Sequence, residues 1–407
     1  MLSLLRTLLV LAAQPAIGGQ AVIEGVMMRS PRSFAVAVRR PDGSIVVREE
    51  AWLSFSERFR FLKWPLLRGA NMLIESMVNG LSALNFSARE AMPEDDGQAP
   101  TPPPTSGTLT HALSTQALST QALVAPLGLA CAAPSGDDGA SAPSDERRSL
   151  SLWLTLLVSI GFAMALFKGV PHLATWGLGE LLGRGDGNAL PVTSAWFHLV
   201  DGAVRMLVFA GYILLISRLP DVKRLFMYHG AEHKSVHAFE RRLPLDVASA
   251  RVQSTAHPRC GTSLILLVIA VSVFVFAAVI PLLPTVSEHS LVQALFALAI
   301  KIPLLLPVAG LAYEAQRLAA KHPNNAVVRA LIAPGMLMQR LTTREPTDPE
   351  LEVALTALRK AWWREQLAGR QEVAEATPSE RRATTIEVFS GFDEVLEKMA
   401  PAEKMAA

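Results

Sequence analysis

Cysteine is nearly absent: Cys131 and Cys260 are the two in 407 residues. That excludes a disulfide framework and any metal centre built from four thiolates. Charge is scarce as well. Asp, Glu, Lys and Arg make up 18% of the chain, against about 25% in an ordinary soluble domain. Neither sign prevails, with 38 basic residues against 36 acidic ones, so no global basic field draws the chain to nucleic acid and no nucleic-acid partner is expected. What fills the chain is apolar: half of it is hydrophobic and its mean hydropathy is +0.30. A wholly disordered, collagen-like or coiled-coil chain is excluded. The expected principal partner is a lipid bilayer.

Four stretches have the length and composition of membrane spans: 150–167, 196–217, 262–283 and 291–313. Each comes close to the ~20 helical residues needed to cross ~30 Å of hydrocarbon. The second holds Asp201 and Arg205; the fourth holds Lys301, Pro303 and Pro307, which predict a kinked or partly broken helix. Residues 218–259 carry eight Lys and Arg, whereas 283–290 carry none. The positive-inside rule then places both termini and the 218–259 loop in the cytoplasm, in a multi-pass topology.

Outside the spans, residues 1–16 read as an apolar extension whose Arg6 and Gln14-Pro15-Ala16 fit a cleaved signal poorly. Residues 17–92 predict a small cytoplasmic α+β unit. Phe34–Arg39 and Ser44–Arg48 flank Pro41-Asp42-Gly43, a hairpin pattern in which proline presets the turn and glycine supplies positive φ. The glycine-punctuated stretch 18–31 can bring backbone close to another segment. Ser56–Arg89 predicts a helix broken near Trp64-Pro65, with Leu66, Met72, Leu73, Met77, Leu81 and Leu84 as the apolar stripe of an amphipathic helix. Residues 93–147, with PTPPPTS and SGDDGASAPS, predict a disordered linker. The four-span domain occupies 148–316, cytoplasmic helices 317–370, and a loosely ordered tail 371–407.

The most informative stretch is His229-Gly-Ala-Glu232-His233-Lys-Ser-Val-His237-Ala-Phe-Glu240, which contains H-x-x-E-H at 229–233. On a helix, His229 and His233 lie one turn apart and can reach one cation, while Glu232 projects beside them as a base for water, the logic of the inverted zincin motif. At about 100° per residue, His229, Glu232, His233, His237 and Glu240 fall within roughly 140°. His257 and Cys260 lie just before the third span and Glu314 ends the fourth, so all reach one membrane face. The expected ligands of a divalent metal, zinc above all, are therefore His229 and His233 with Glu314 or His257 as the third, and with His237 and Cys260 as further candidates. Glu232 is the expected catalytic base. A competing reading makes the histidines a structural polar cluster that meets anionic headgroups with Lys234, Arg241 and Arg242. Inside the second span, Asp201 and Arg205 are placed to pair across one turn, with Lys301 close enough in hydropathy depth to join them.

Five segments, GGQAVIEGVMMRSP (18–31), HGAEHKSVHAFE (229–240), HPRCGTS (257–263), LLLPVAGLAYE (304–314) and LTTREP (341–346), resemble in content and order the YqhQ-like family of bacterial polytopic membrane proteins. The resemblance covers about 17–90 and 150–360. It implies a bacterial inner-membrane protein whose family label is a domain of unknown function and predicted metal-dependent enzyme. The reading is thus a mainly α membrane protein of about four spans, with an N-terminal α+β unit and C-terminal cytoplasmic helices. It carries a cytoplasm-facing divalent-metal site, that of a metal-dependent hydrolase. The alternative is a non-enzymatic docking or assembly factor, in which the His/Glu cluster is structural and a cytoplasmic or membrane protein is the partner. A small transporter using Asp201, Arg205 and Lys301 is a third reading.

Overall fold

The computed structural model describes residues 15–92, 158–183, 190, 194–284, 286, 290–322, 325–368 and 384–404, apart from positions 53, 66, 159–160 and 163–164. The chain divides into two units. One comprises Met1–Pro93, Lys223–Val268 and Ala309–Ala407; the other comprises Glu94–Val222 and Ile269–Val308. The expected linker 93–147 and most of the expected span 150–167 lie outside the described residues.

The first unit is built on a five-stranded antiparallel sheet of order β1-β2-β3-β4-β5. Its strands are β1 (Gly18–Val22), β2 (Gly25–Arg29), β3 (Ser33–Arg39), β4 (Ile45–Ala51) and β5 (Thr385–Phe389). The β3–β4 hairpin turns at Pro41-Asp42-Gly43, where Gly43 takes φ +89° and the Asp42 side chain accepts the Ser44 N–H at 2.8 Å. Side chains alternate between two buried faces, as period-two geometry requires. Val26, Met28, Ala35, Ala37, Ile45 and Val47 face one core, whereas Met27, Phe34, Val36, Val38 and Val46 face the other.

A short helical turn at Phe55–Arg58 and a 3-10 turn at Arg60–Lys63 lead into α1 (Leu67–Glu90), broken from them near Trp64-Pro65 as the sequence predicts. Ala83 and Phe86 of α1 cover the second core. The rest of α1 is amphipathic as the stripe predicts. Its buried face is small and polar, with Gly69, Asn71, Glu75, Asn79, Gly80 and Ser87. Its outer face is apolar, and Met77 and Leu81 of the stripe are exposed together with Ile74 and Val78. The reason is local demand: the inward Glu75 carboxylate takes the Arg29 guanidinium at 2.5 Å and the Ser54 hydroxyl at 2.6 Å, so charge pairing and not apolar burial fixes the helix's rotation.

The opposite face of the sheet carries α9 (Asp348–Ala368), which packs across β2, β3 and β4. Leu351, Val353, Leu355 and Leu358 of this helix are completely buried. Within the tail expected to be loosely ordered, the described residues 384–404 form regular structure. Its β5 pairs with β4, and α10 (Phe392–Lys404) follows, because Phe389 and Val395 have an apolar socket in the first core. Burial of one such aromatic contributes about 2–3 kcal/mol.

The expected loop 218–259 is ordered. It forms α4 (Pro220–Glu240) and α5 (Val247–Arg251). Arg242, at φ +56°, ends α4, with the Leu243 N–H bonded to the Ala238 carbonyl at 3.0 Å. Tyr228, Ala231, Val236 and Phe239 place α4 against the first core. α8 (Ala326–Thr342) also belongs to this unit and starts at Asn325, whose side chain accepts the Val327 and Val328 N–H groups.

The second unit is helical, with α2 (Val170–Gly183) and α3 (Ala195–Ile216). In the chain, α6 (Gly261–Val279) and α7 (Ser290–Lys321) contribute residues to both units. Two described stretches are long and apolar enough to cross a membrane, Ala195–Ile216 and Gly261–Leu282. α7, the fourth expected span, is helical without a break through Pro303 and Pro307; apolar helices tolerate proline where other groups re-satisfy the freed carbonyls.

Candidate metal centre

The helix expected at the histidine stripe is α4, and it sets His229 and His233 one turn apart with ring centroids 4.5 Å from each other. Both imidazoles are buried. The Nδ1 of His229 lies 2.8 Å from the Thr342 carbonyl, and the Nδ1 of His233 lies 2.5 Å from the Thr255 carbonyl. A carbonyl only accepts, so each Nδ1 carries the proton and donates it. In its neutral form each imidazole then keeps a lone pair on Nε2. The Nε2 of His229 lies 3.2 Å from the Cys260 sulfur, and the Nε2 of His233 is buried with no hydrogen-bond partner. The two nitrogens and the sulfur lie within 4.8 Å of one another. Metal-bound histidines show this arrangement: the far nitrogen is tied to a carbonyl, and the near lone pair faces the ion.

Glu232 stands beside the cluster. One carboxylate oxygen accepts the Gly19 N–H at 3.0 Å, and the other lies 3.4 Å from the His233 Nε2. Burial opposes charge on His233, but the Glu232 carboxylate and the Cys260 sulfur outweigh it and push the imidazole up to about 9, so a cation binding there must displace the Nε2 proton. Burial likewise opposes the Cys260 thiolate. The neighbouring His229 and His233 rings, which stabilise the thiolate when an Nε2 proton faces it, hold the thiol well below its ordinary range.

Four segments far apart in sequence fix these groups. The Gln316 side chain donates to the Cys260 carbonyl at 2.9 Å. Gln339 accepts the His257 N–H and donates to the His257 carbonyl, both at 2.8 Å, and so pins the segment before α6. The LTTREP stretch lies along α4. A Cβ on Gly230 would sit 2.1 Å from the Arg344 carbonyl oxygen, so glycine permits this approach. Lys234, read from sequence as facing headgroups, is buried and donates to the Arg251 carbonyl and to Glu345. Glu24 adopts φ +50° in the β1–β2 turn, and its carboxylate pairs with Arg224 and meets the Tyr228 hydroxyl at 3.4 Å. That pair ties the hairpin to α4 one turn before His229.

The remaining candidates have other partners. Glu314 is engaged by Arg68 through two bonds of 2.5 and 2.6 Å. His257 stands beside the cluster, its ring centroid 5.8 Å from that of His233, and joins His237 and Glu240 in a second group. There, His237 donates Nε2–H to the Ala256 carbonyl at 2.9 Å. His257 accepts the Arg259 N–H on Nδ1, so its proton sits on Nε2 and points to Glu240 at 3.2 Å. Glu240 is also paired with Arg259. The second group is thus a closed hydrogen-bond network, and its His257 Nε2 carries a proton where a ligand needs a lone pair. Burial keeps His257 below its usual value and pulls His237 down to about 4, against the Ala256 carbonyl, so both are neutral near pH 7. Gln316, Gly19 and Thr255 are site residues that sequence reasoning missed. None has a local pattern; Gly19 alone carried a hint, in its glycine-rich surroundings.

An α+β unit that gathers histidine, cysteine and glutamate, joined to apolar helices of spanning length, is the class that fold and site define. The chain belongs to the family of proteins of unknown function DUF1385, whose model matches residues 64–363. It is 32% identical over 349 residues to the "Uncharacterized protein YqhQ" of Bacillus subtilis (strain 168), covering 84% of this chain and 90% of that protein. No solved structure matches.

Proposed function

We propose that this chain is a multi-pass protein of the bacterial inner membrane with a cytoplasm-facing zinc-type site, and that it acts as a metal-dependent hydrolase. His229, His233 and Cys260 are the ligands and Glu232 is the base. The observation that carries this reading is the grouping of ligand atoms from His229, His233 and Cys260 within 4.8 Å of one another, with both Nδ1 atoms tied to backbone carbonyls. Imidazole and thiolate donors suit zinc better than magnesium or calcium. When bound, such an ion supplies Lewis acidity that lowers the pKa of water and polarises a carbonyl or phosphoryl oxygen. The chain's own contribution is positional. Gly19 fixes one oxygen of Glu232, leaving the other beside the cluster as proton acceptor. The topology with four spans and cytoplasmic termini is supported by the eight basic residues of 218–259. The outward apolar face of α1, preceded by exposed Phe59, Phe61 and Trp64, suits contact with the bilayer at its interfacial level.

Elemental analysis of the detergent-purified full chain tests the reading. The wild type is expected to carry about one equivalent of zinc, and His229→Ala and Cys260→Ala to lose it. A folded wild type that stays metal-free after growth and purification with zinc would instead favour the docking-factor alternative.

A further inference from the structure

The helical unit has a polar interior that the metal site does not use. His198, Asp201 and Arg205 of α3 fall within an arc of roughly 60° at about 100° per residue. Asp201 and His198 are buried. Arg205 donates to one Asp201 oxygen at 2.5 Å. The second Asp201 oxygen (Oδ1), the Arg205 Nε and the His198 Nε2 are all buried without a hydrogen-bond partner. Lys301 of α7 lies within electrostatic reach of Arg205 and Asp201, its ammonium over the Phe276 ring at 5.5 Å. Among the described residues Lys301 has no ion pair and no hydrogen bond.

Two features define what is missing. Charge is unbalanced: Arg205 and Lys301 face the single carboxylate of Asp201, leaving one surplus positive charge among apolar helices, where an uncompensated ion is costly. The unused groups are also mixed. Arg205 Nε–H and the Lys301 ammonium are donors, whereas Asp201 Oδ1 is an acceptor. A halide would balance the charge and leave Asp201 Oδ1 unserved. A phosphate monoanion that also bears a hydroxyl serves both, with anionic oxygens toward Arg205 and Lys301 and O–H toward Asp201.

We propose that His198, Asp201, Arg205 and Lys301 form a binding site for such a hydroxyl-bearing phosphate monoanion. Monobasic inorganic phosphate and the phosphoglycerol headgroup of an anionic lipid share this chemistry. The site places the surplus cation where a bound anion, and not a second protein carboxylate, balances Arg205 and Lys301. The proposal rests in part on reading α3 and α6 as membrane spans. Recovery of the chain in the soluble fraction would end that reading while leaving the phosphate arm of the test intact.

The test uses the full chain purified in non-ionic detergent, as wild type, Lys301→Met and Asp201→Asn. Each is titrated calorimetrically with inorganic phosphate at constant ionic strength. Each is also weighed by native mass spectrometry in mixed micelles containing phosphatidylglycerol or phosphatidylcholine. The wild type is expected to bind one phosphate or to retain phosphatidylglycerol over phosphatidylcholine; the arm that responds identifies the source. Lys301→Met should weaken binding about tenfold or more. Asp201→Asn keeps the acceptor oxygen, removes the competing charge and should tighten binding. Zinc content should be equal in all three, which separates this site from the metal centre. Absence of binding in both arms, equal retention of the two lipids, or wild-type affinity in Lys301→Met would overturn the proposal. Should Lys301→Met fail to fold, unchanged or weakened binding in Asp201→Asn overturns it alone.

Discussion

The backbone N–H of Gly19 donates to the carboxylate of Glu232 at 3.0 Å, across 213 residues of sequence. The edge strand of the sheet thereby fixes an acid on α4. A Cβ at position 19 would lie 2.7 Å from the Glu232 Cγ and 2.7 Å from the Met27 carbonyl oxygen. The backbone cannot yield as a flexible side-chain tip can, so Gly19→Ala should displace Glu232. Glu232 is the base and not a ligand, so zinc content should stay near that of the wild type, while the metal-free His233 imidazole, which the Glu232 carboxylate holds up, should titrate lower. Elemental analysis reads the first and NMR titration the second, and the folded state is checked by thermal unfolding.

Glu314 offers the reverse contrast. Its carboxylate is taken by Arg68, and both side chains are about 30% exposed. Glu314→Gln should leave zinc content unchanged and cost no more than about 1 kcal/mol, as partly exposed pairs do. Elemental analysis beside His229→Ala reads the first expectation, and denaturant titration reads the second.

Glu75 is a structural charge. It is buried and holds the Arg29 guanidinium, the Ser54 hydroxyl, the Asn71 amide and the Phe55 N–H. Burial raises its pKa, but the Ser54 hydroxyl, the Arg29 charge and Asn71 outweigh this and keep it below 4.5. With the folded value depressed, its stabilisation is present above the unfolded pKa and is lost as pH falls through the lower folded value. Thermal stability of the wild type should therefore fall on acidification below about 4.5, and Glu75→Gln should lack that component. At neutral pH, Glu75→Gln should cost about 3–5 kcal/mol, because it leaves Arg29 without its partner.

The tail should matter to the sheet. Phe389 is completely buried in the first core, and β5 covers the edge of β4. Phe389→Ala is expected to lose about 3–5 kcal/mol, measured by denaturant unfolding. Deleting 384–404 should expose β4 as an open edge and promote association, read by light scattering.

The β3–β4 hairpin was legible because its signals are local. Alternating residues and a Pro-Asp-Gly turn depend on neighbours within a few positions. The histidine stripe was legible for the same reason, since helical period alone aligns His229 and His233. The rotation of α1 was not. Its apolar stripe shows an amphipathic helix but not which face turns inward, and that is set by Glu75 meeting Arg29, a partner 46 residues away. The tail's strand was obscured too, because its alternation is short and its value depends on an open edge at β4.

The amino-acid sequence by itself determined the apolar helices, the strands flanking a proline-led turn, and a helix bearing H-x-x-E-H, all written in periodicities of two to four residues. Tertiary structure alone decided that Cys260 stands with His229 and His233, while Glu314 pairs with Arg68 and the adjacent His257 turns its Nε2 to Glu240. The physical reason is that ligand choice depends on which imidazole lone pairs remain free. Those are set by the carbonyls of Thr342 and Thr255, acceptors that every residue carries and that only folding brings within reach.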